Sequence, residues 1–236
     1  MFTNLALLVM MQGAAAPPVT VQEIVEHMVL ADEARLAALA GYTGGRCYRF
    51  ENKGFKKSAE MTVRLACDRA GVKKFEVTSE TGSGFVRNHI LRKMIDAESQ
   101  ASQKGERQDT RIIPRNYEFR LIGKETADGR DAYVLEVEPK KPNKYLIRGR
   151  IWVDAQDFAI ARVEGSPAKN PSFWIRSVHI VQRYGKQGQF WLPVLNESQA
   201  QARVFGATEV KIEYFDYSVS AREAQASAAQ ERGVSR

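Results

Sequence analysis

The chain has 236 residues, 44% of them hydrophobic, with 35 lysines and arginines against 28 acids, hence a formal charge of +7. That length suits one sizeable core with appendages, and the excess charge favours anionic partners in general. Nucleic acid is not among the expected partners, because bases and acids are interleaved and no basic run with interspersed aromatics occurs.

The opening stretch "MFTNLALLVMMQGAAAPP" has a short apolar run from Leu5 to Met11, then small residues at Ala14, Ala15 and Ala16. It reads as a signal peptide over residues 1–16, although no Lys or Arg precedes the apolar run. Spanning a bilayer takes ~20 apolar residues, so the run is too short for that. No cysteine follows the cleavage region, which argues against lipid attachment there. A single domain is expected over residues 17–219, followed by a flexible polar tail over 220–236 whose one large apolar residue is Val234.

Thr20 followed by Glu23 fits a capping box, and "VQEIVEHMVLADEARLAAL" places Ile24, Met28, Ala31 and Leu39 on one helical stripe ending near Gly41. "GYTGGRCYRF", "AEMTVRLAC" and "KKFEVTSE" then read as three strands of an antiparallel meander. Alternation places Met61, Val63, Leu65 and Cys67 on one face, whereas Cys47 lies opposite the apolar Tyr48 and Phe50. Two free thiols are expected unless a bulge brings these cysteines together.

In "GSGFVRNHILRKMIDAESQASQKG" the residues Phe85, Ile90, Leu91, Met94 and Ile95 recur at helical spacing, giving a second helix between strands. The glycines before it lack the rest of a phosphate loop and read as a strand-to-helix turn. "YEFRLIGKETADGRDAYVLEVEPK" is a hairpin with its turn at "ADGR". Strands "KYLIRGRIWVD", "FAIARVEG", "FWIRSVHIVQRY", "QFWLPVLNESQAQARVF" and "TEVKIEYFDYSV" follow, with turns at "DAQD" and "GKQG". Between two of them, Pro167 and Pro171 make a rigid strand connection. The expected class is α+β: a large, curved antiparallel sheet around two amphipathic helices, with an apolar interior able to hold a ligand.

His27, His89 and His179 stand at no metal-ligand spacing, and no nucleophile lies in a motif with a base. No catalytic residue, metal or cofactor is therefore expected. Arg87, Arg92 and Lys93, and then Lys140, Lys141, Lys144, Arg148 and Arg150, are local basic concentrations. They read as solvated faces, or as surfaces steering a transient contact with an anionic membrane or an envelope protein. Adjacent aromatics put a ring on each face of a strand, which makes Trp152, Phe173, Trp174, Phe190 and Trp191 candidates for a cavity wall together with Ile90 and Met94 of the second helix.

The strings "NYEFRLIGKETADGRDAYVLEVEPKKPNKYLIRGRIWVD", "FAIARVEGSPAKNPSFWIRSVHI", "FWLPVLNES" and "FGATEVKIEYFDYSV" resemble outer-membrane lipoprotein-sorting-like bacterial proteins, distant relatives of the LolA/LolB carriers. The resemblance runs roughly from Tyr42 to Val219 and is strongest after Asn116. It implies an unclosed β-barrel with helices in its concave side over an apolar cavity that accepts acyl chains. It also implies a monomeric, non-catalytic periplasmic carrier of a lipoprotein or lipid. The same fold serves an alternative, an envelope sensor or regulator that binds a protein partner.

Overall fold

Thr20 starts the first helix as its sequence predicts: its hydroxyl accepts from the Glu23 amide at 3.3 Å, and the Glu23 carboxylate accepts from the Thr20 amide at 2.8 Å. The structure, a computed structural model, describes residues 19–104, 110–170, 173, 175–203 and 206–222. The expected signal segment, most of the expected tail and Trp174 lie outside the described residues. Helix α1 (Val21–Ala38) buries Ile24, Val25 and Met28. It stops earlier than its apolar stripe suggests, because Leu39 is already extended and opens the first strand.

That strand is β1 (Leu39–Asn52), followed by β2 (Lys57–Cys67) and β3 (Lys73–Gly82). The second helix begins as α2 (Gly84–Val86), passes through a π-helical turn at Arg87–Leu91 and continues as α3 (Arg92–Lys104). Seven strands complete the chain: β4 (Tyr117–Ala127), β5 (Arg130–Pro139), β6 (Ile147–Asp154), β7 (Ile160–Pro167), β8 (Ile175–Gln187), β9 (Phe190–Ala202) and β10 (Gly206–Ala221). Asp128 and Gly129 both have positive φ, at 50° and 78°, the signature of the two-residue turn read from "ADGR". "GKQG" differs: β8 runs through Gln187, and the reversal falls on Gly188 and Gln189.

All ten strands form one antiparallel sheet in the order β3-β2-β1-β10-β9-β8-β7-β6-β5-β4. The last strand returns beside the first, so consecutive strands β3 and β4 end up at opposite edges. They do not pair, and the barrel is unclosed; the chain travels between the two edges through the second helix. This is the α+β, open antiparallel architecture expected from the sequence.

Each helix covers one part of the inner face. Helix α1 packs Ile24, Val25 and Met28 on Tyr117, Leu135, Val137, Ile151, Val153 and Val163, from β4 to β7. The second helix packs Val86, Leu91 and Ile95 on Tyr48, Phe50, Met61, Val63 and Ile212. Between β6 and β7, Gly149 stands opposite Gly165, and a Cβ on Gly149 would lie 2.1 Å from the Glu164 carbonyl. Only glycine permits that close approach.

Cys67 pairs across the ladder with Tyr42 and Cys47 with Thr62, in an uninterrupted β1–β2 register. Five residues separate Tyr42 from Cys47, so the two thiols face opposite sides of the sheet, and both are free. Helix α1 is held from one side only, which makes its buried face decisive. Met28→Ala should lower stability by about 2–5 kcal/mol, whereas Leu30→Ala, on its outer side, should stay within about 0.5 kcal/mol; urea denaturation followed by circular dichroism measures both.

Candidate functional site

The two helices leave part of the inner face uncovered. Over β7, β8 and β9 lies a chamber of about 570 Å³, walled by Met28, Val29 and Leu36 of α1, Ile112 and Ile113 of the connection into β4, and Ile160, Ile180 and Tyr184 of the strands. Residues from β4 and from β9 line it together, although in a flat sheet five strand spacings would hold them roughly 24 Å apart. A curved sheet brings them around one space. On the other side of α1, Val21, Val25, Leu30, Pro114 and Phe119 line an apolar groove of about 460 Å³. Val29 and Tyr117 border both spaces, so α1 is the partition between them.

This arrangement accounts for the outer side of α1. Leu30 is 57% exposed and Leu36 43% exposed, yet Leu30 faces the groove and Leu36 the chamber. A helix with apolar residues beyond its core stripe is built to border more than one apolar space.

One end of the chamber is polar, and its charges are already engaged. Arg111 donates to Asp32 at 2.7 Å, and Arg35 donates to the carbonyl oxygens of Asp157 at 2.9 Å and Phe158 at 3.4 Å. Burial pushes the Arg35 guanidinium down from its ordinary value, with Asp32 and Asp157 acting against that. Trp191 closes this end, its indole N–H donating to Asp157 at 3.1 Å. Tyr184, half-buried in the floor, has its phenol pushed up to about 12 by desolvation. These groups hold α1 and the floor in place; none of them pairs a nucleophile with a base. Among the described residues no three His, Cys, Asp or Glu side chains gather to hold a metal.

The residues picked from the sequence are dispersed. Trp191 lines the chamber. Ile90 and Met94 pack, half-buried, against the core beneath the second helix. Trp152 sits between Ile151 and Val153, which point at α1, so its own ring faces away from the helices; it packs with Ala132 and Val134 and donates to Glu125 at 3.0 Å. Phe190 is buried on the face of β9 opposite Trp191, and Phe173 is 73% exposed at a rim of the sheet. The apolar spacing in the second helix also shifts. Phe85 is 58% exposed, and the buried series is Val86, Leu91 and Ile95.

The π-helical turn explains that shift. In a regular α-helix, residues five apart point about 140° away from each other. In the π turn the Arg92 amide bonds to the Arg87 carbonyl, and residues five apart stand over one another. Val86 and Leu91 therefore share the core face, while Arg87 and Arg92 reach the two oxygens of Glu80, each at 2.6 Å.

Beneath α3 lies a buried charge that sequence reading did not single out. Arg46, 2% exposed, donates to both oxygens of Glu98, at 2.7 and 3.2 Å, and to the Tyr48 hydroxyl at 3.2 Å. Its guanidinium lies over the rings of Phe75 and Tyr214, 5.2 and 4.7 Å from their centroids. Lys73 joins Glu98 from β3. The signal in the sequence was alternation, which puts Arg46 on the apolar face of Tyr48 and Phe50, where a charge needs a partner.

A family of unknown function, DUF5686, matches residues 114–220, the stretch from just before β4 nearly to the end of β10. No curated protein matches the chain. Among solved structures, the chain is similar to a DUF1329 family protein from Desulfovibrio piger, with 14% identity and a TM-score of 0.44 over 85% of this chain and 93% of that one. It is also similar to a LolA superfamily protein from Nitrosomonas europaea, with 14% identity and a TM-score of 0.39 over 86% of this chain and 94% of that one. A third is a domain named for outer membrane lipoprotein sorting from Vibrio parahaemolyticus, with 11% identity and a TM-score of 0.42 over 82% and 91% of the respective chains.

Burial alone would raise the Glu98 carboxyl, but the bonds and positive charges of Arg46 and Lys73 outweigh it and hold the group below its ordinary range. A carboxyl lowered by folding stabilises the fold above its unfolded pKa of about 4.3, and that contribution disappears as pH falls through the lower folded value. The protection of α3 amides, relative to their intrinsic exchange at the same pH, should therefore fall below about pH 4. Glu98→Gln should remove this pH dependence and cost about 3 kcal/mol at neutral pH, because it strands the buried Arg46 charge while Glu98 itself is about one-third exposed.

Proposed function

We propose that this protein is a non-catalytic periplasmic carrier that takes the acyl chains of a lipoprotein or lipid into the chamber beside α1. The chamber carries the reading: about 570 Å³ falls within the roughly 300–1,000 Å³ of ligand sites, and aliphatic and aromatic side chains make up most of its walls, with Gln182 and Asn196 on the floor and Asp32, Arg35 and Arg111 at the charged end. Each methylene buried there would contribute about 0.8 kcal/mol, so a long chain suits the space better than a small polar solute. In this reading the domain expected over 17–219 is the binding unit, with Trp191 at the polar end of its chamber. The periplasmic location rests on the signal-like opening of the sequence and on the family resemblance of its strands.

A second reading, a regulator holding a protein partner, draws on the open outer edge of β4. That strand has no partner beyond β5, and Leu121 and Ile122 are exposed on it, as a site for an added strand would require.

Native mass spectrometry of the protein purified from an envelope fraction, with titration of a fluorescent fatty acid, tests the carrier. Retained acyl material and saturable probe binding are expected, and Ile180→Asp should weaken binding at least about tenfold, or about 1.4 kcal/mol. Neither retained lipid nor probe binding would sink this reading. A stoichiometric polypeptide displaced by altering Leu121 and Ile122 would favour the second.

A further inference from the structure

Antiparallel pairing sends alternate connections to opposite rims of the sheet. The β1–β2, β5–β6, β7–β8 and β9–β10 connections share one rim, their described residues being 53–56, 140–146, 168–170, 173 and 203. By sequence they hold seven lysines and arginines and no acid. The connections at the other rim, residues 68–72, 128–129, 155–159 and 188–189, hold Arg69 against Asp68, Asp128 and Asp157. The whole chain is formally +7, so the first rim alone equals the net charge and every other charge in the sequence balances out. Of the acids near that rim, Glu23 caps α1, Glu118 pairs with Lys140 at 3.3 Å and Glu209 with Lys53 at 3.5 Å, while the exposed Glu51 lies at the end of β1 near Lys53.

The same rim carries the most exposed aromatics. Phe55 is 52% exposed, Tyr145 68% and Phe173 73%, and Phe85, 58% exposed, opens α2 beside them. Three have a cation over the ring: Lys57 with Phe85 at 5.1 Å, Lys144 with Tyr145 at 5.0 Å and Arg203 with Phe173 at 4.8 Å. Lysines that reach anionic headgroups, set beside rings that rest at the headgroup level, are the pairing an interfacial protein needs. An acidic protein surface would answer the charge but not four rings presented from separate connections.

We propose that this rim docks on an anionic phospholipid bilayer. Its lysines lie among the headgroups and Phe55, Phe85, Tyr145 and Phe173 at the boundary with the acyl chains. Tyr145 also lines the chamber, so docking turns the Tyr145 end of the chamber toward the lipid.

Flotation with vesicles of phosphatidylcholine alone, or mixed with phosphatidylglycerol, at low and high salt tests the docking. Binding is expected only with phosphatidylglycerol, and it should fall steeply with salt. Replacing Lys56, Lys141 and Lys144 by Gln should weaken it about fivefold per lysine, or about a hundredfold together. Removing equal charge elsewhere, by Arg64→Gln, Arg69→Gln and Arg120→Gln, should have little effect. Tyr145→Trp should give an emission that shifts to the blue on the mixed vesicles. No binding at low salt, equal binding to phosphatidylcholine, or equal losses in the two triple variants would overturn the proposal. Fatty-acid titration of the same variants keeps this result separate from the chamber, since the rim lysines should leave probe affinity unchanged.

Discussion

A sheet of ten strands is wider than its helices can cover, and the rest of the structure follows from that mismatch. Strands stand roughly 4.8 Å apart, and a helix with its side chains is about 10 Å across. Helix α1 serves β4 to β7, the second helix serves β1 to β3 and β10, and the inner face of β8 and β9 is left half-buried. Curvature turns this bare strip into a chamber instead of a surface. The unpaired edges are those of β3 and β4, the two strands that the second helix separates in the chain.

The two faces of the sheet handle charge differently. Outside, cross-strand pairs such as Arg49 with Glu60, Arg64 with Glu76 and Arg148 with Glu138 are exposed, and each contributes at most about 1 kcal/mol. Their effect is chiefly to cancel charge over the strands, which concentrates the surplus in the loops. Inside, Arg46 has left water almost completely, and Glu98 is what makes that burial tolerable. The second helix is thereby fixed by a charged contact as well as by packing, whereas α1 is fixed by packing and by bonds at its C-terminal half.

The sheet was legible because alternation and turn residues are local signals. All nine pairings join strands adjacent in sequence or the first with the last, and "ADGR" carries its turn geometry in its own residues. The interior was less legible. Phe85 looked like a core residue because the stripe was read at the α-helical period, and one wider turn moved Val86 into its place. Trp152 and Phe190 illustrate another limit: in a strand apolar on both faces, size says that a ring is buried but not on which side. Trp191 could be recognised as a wall residue, but Ile112, Ile160 and Ile180 could not, since only the folded sheet brings them together.

Val29 and Tyr117 border both the chamber and the groove on the far side of α1. If the chamber takes an acyl chain as proposed, that chain would compete with α1 for the same apolar walls, and its net affinity would be the difference between two burials. Such an exchange would allow a large apolar contact to be made without a tight complex.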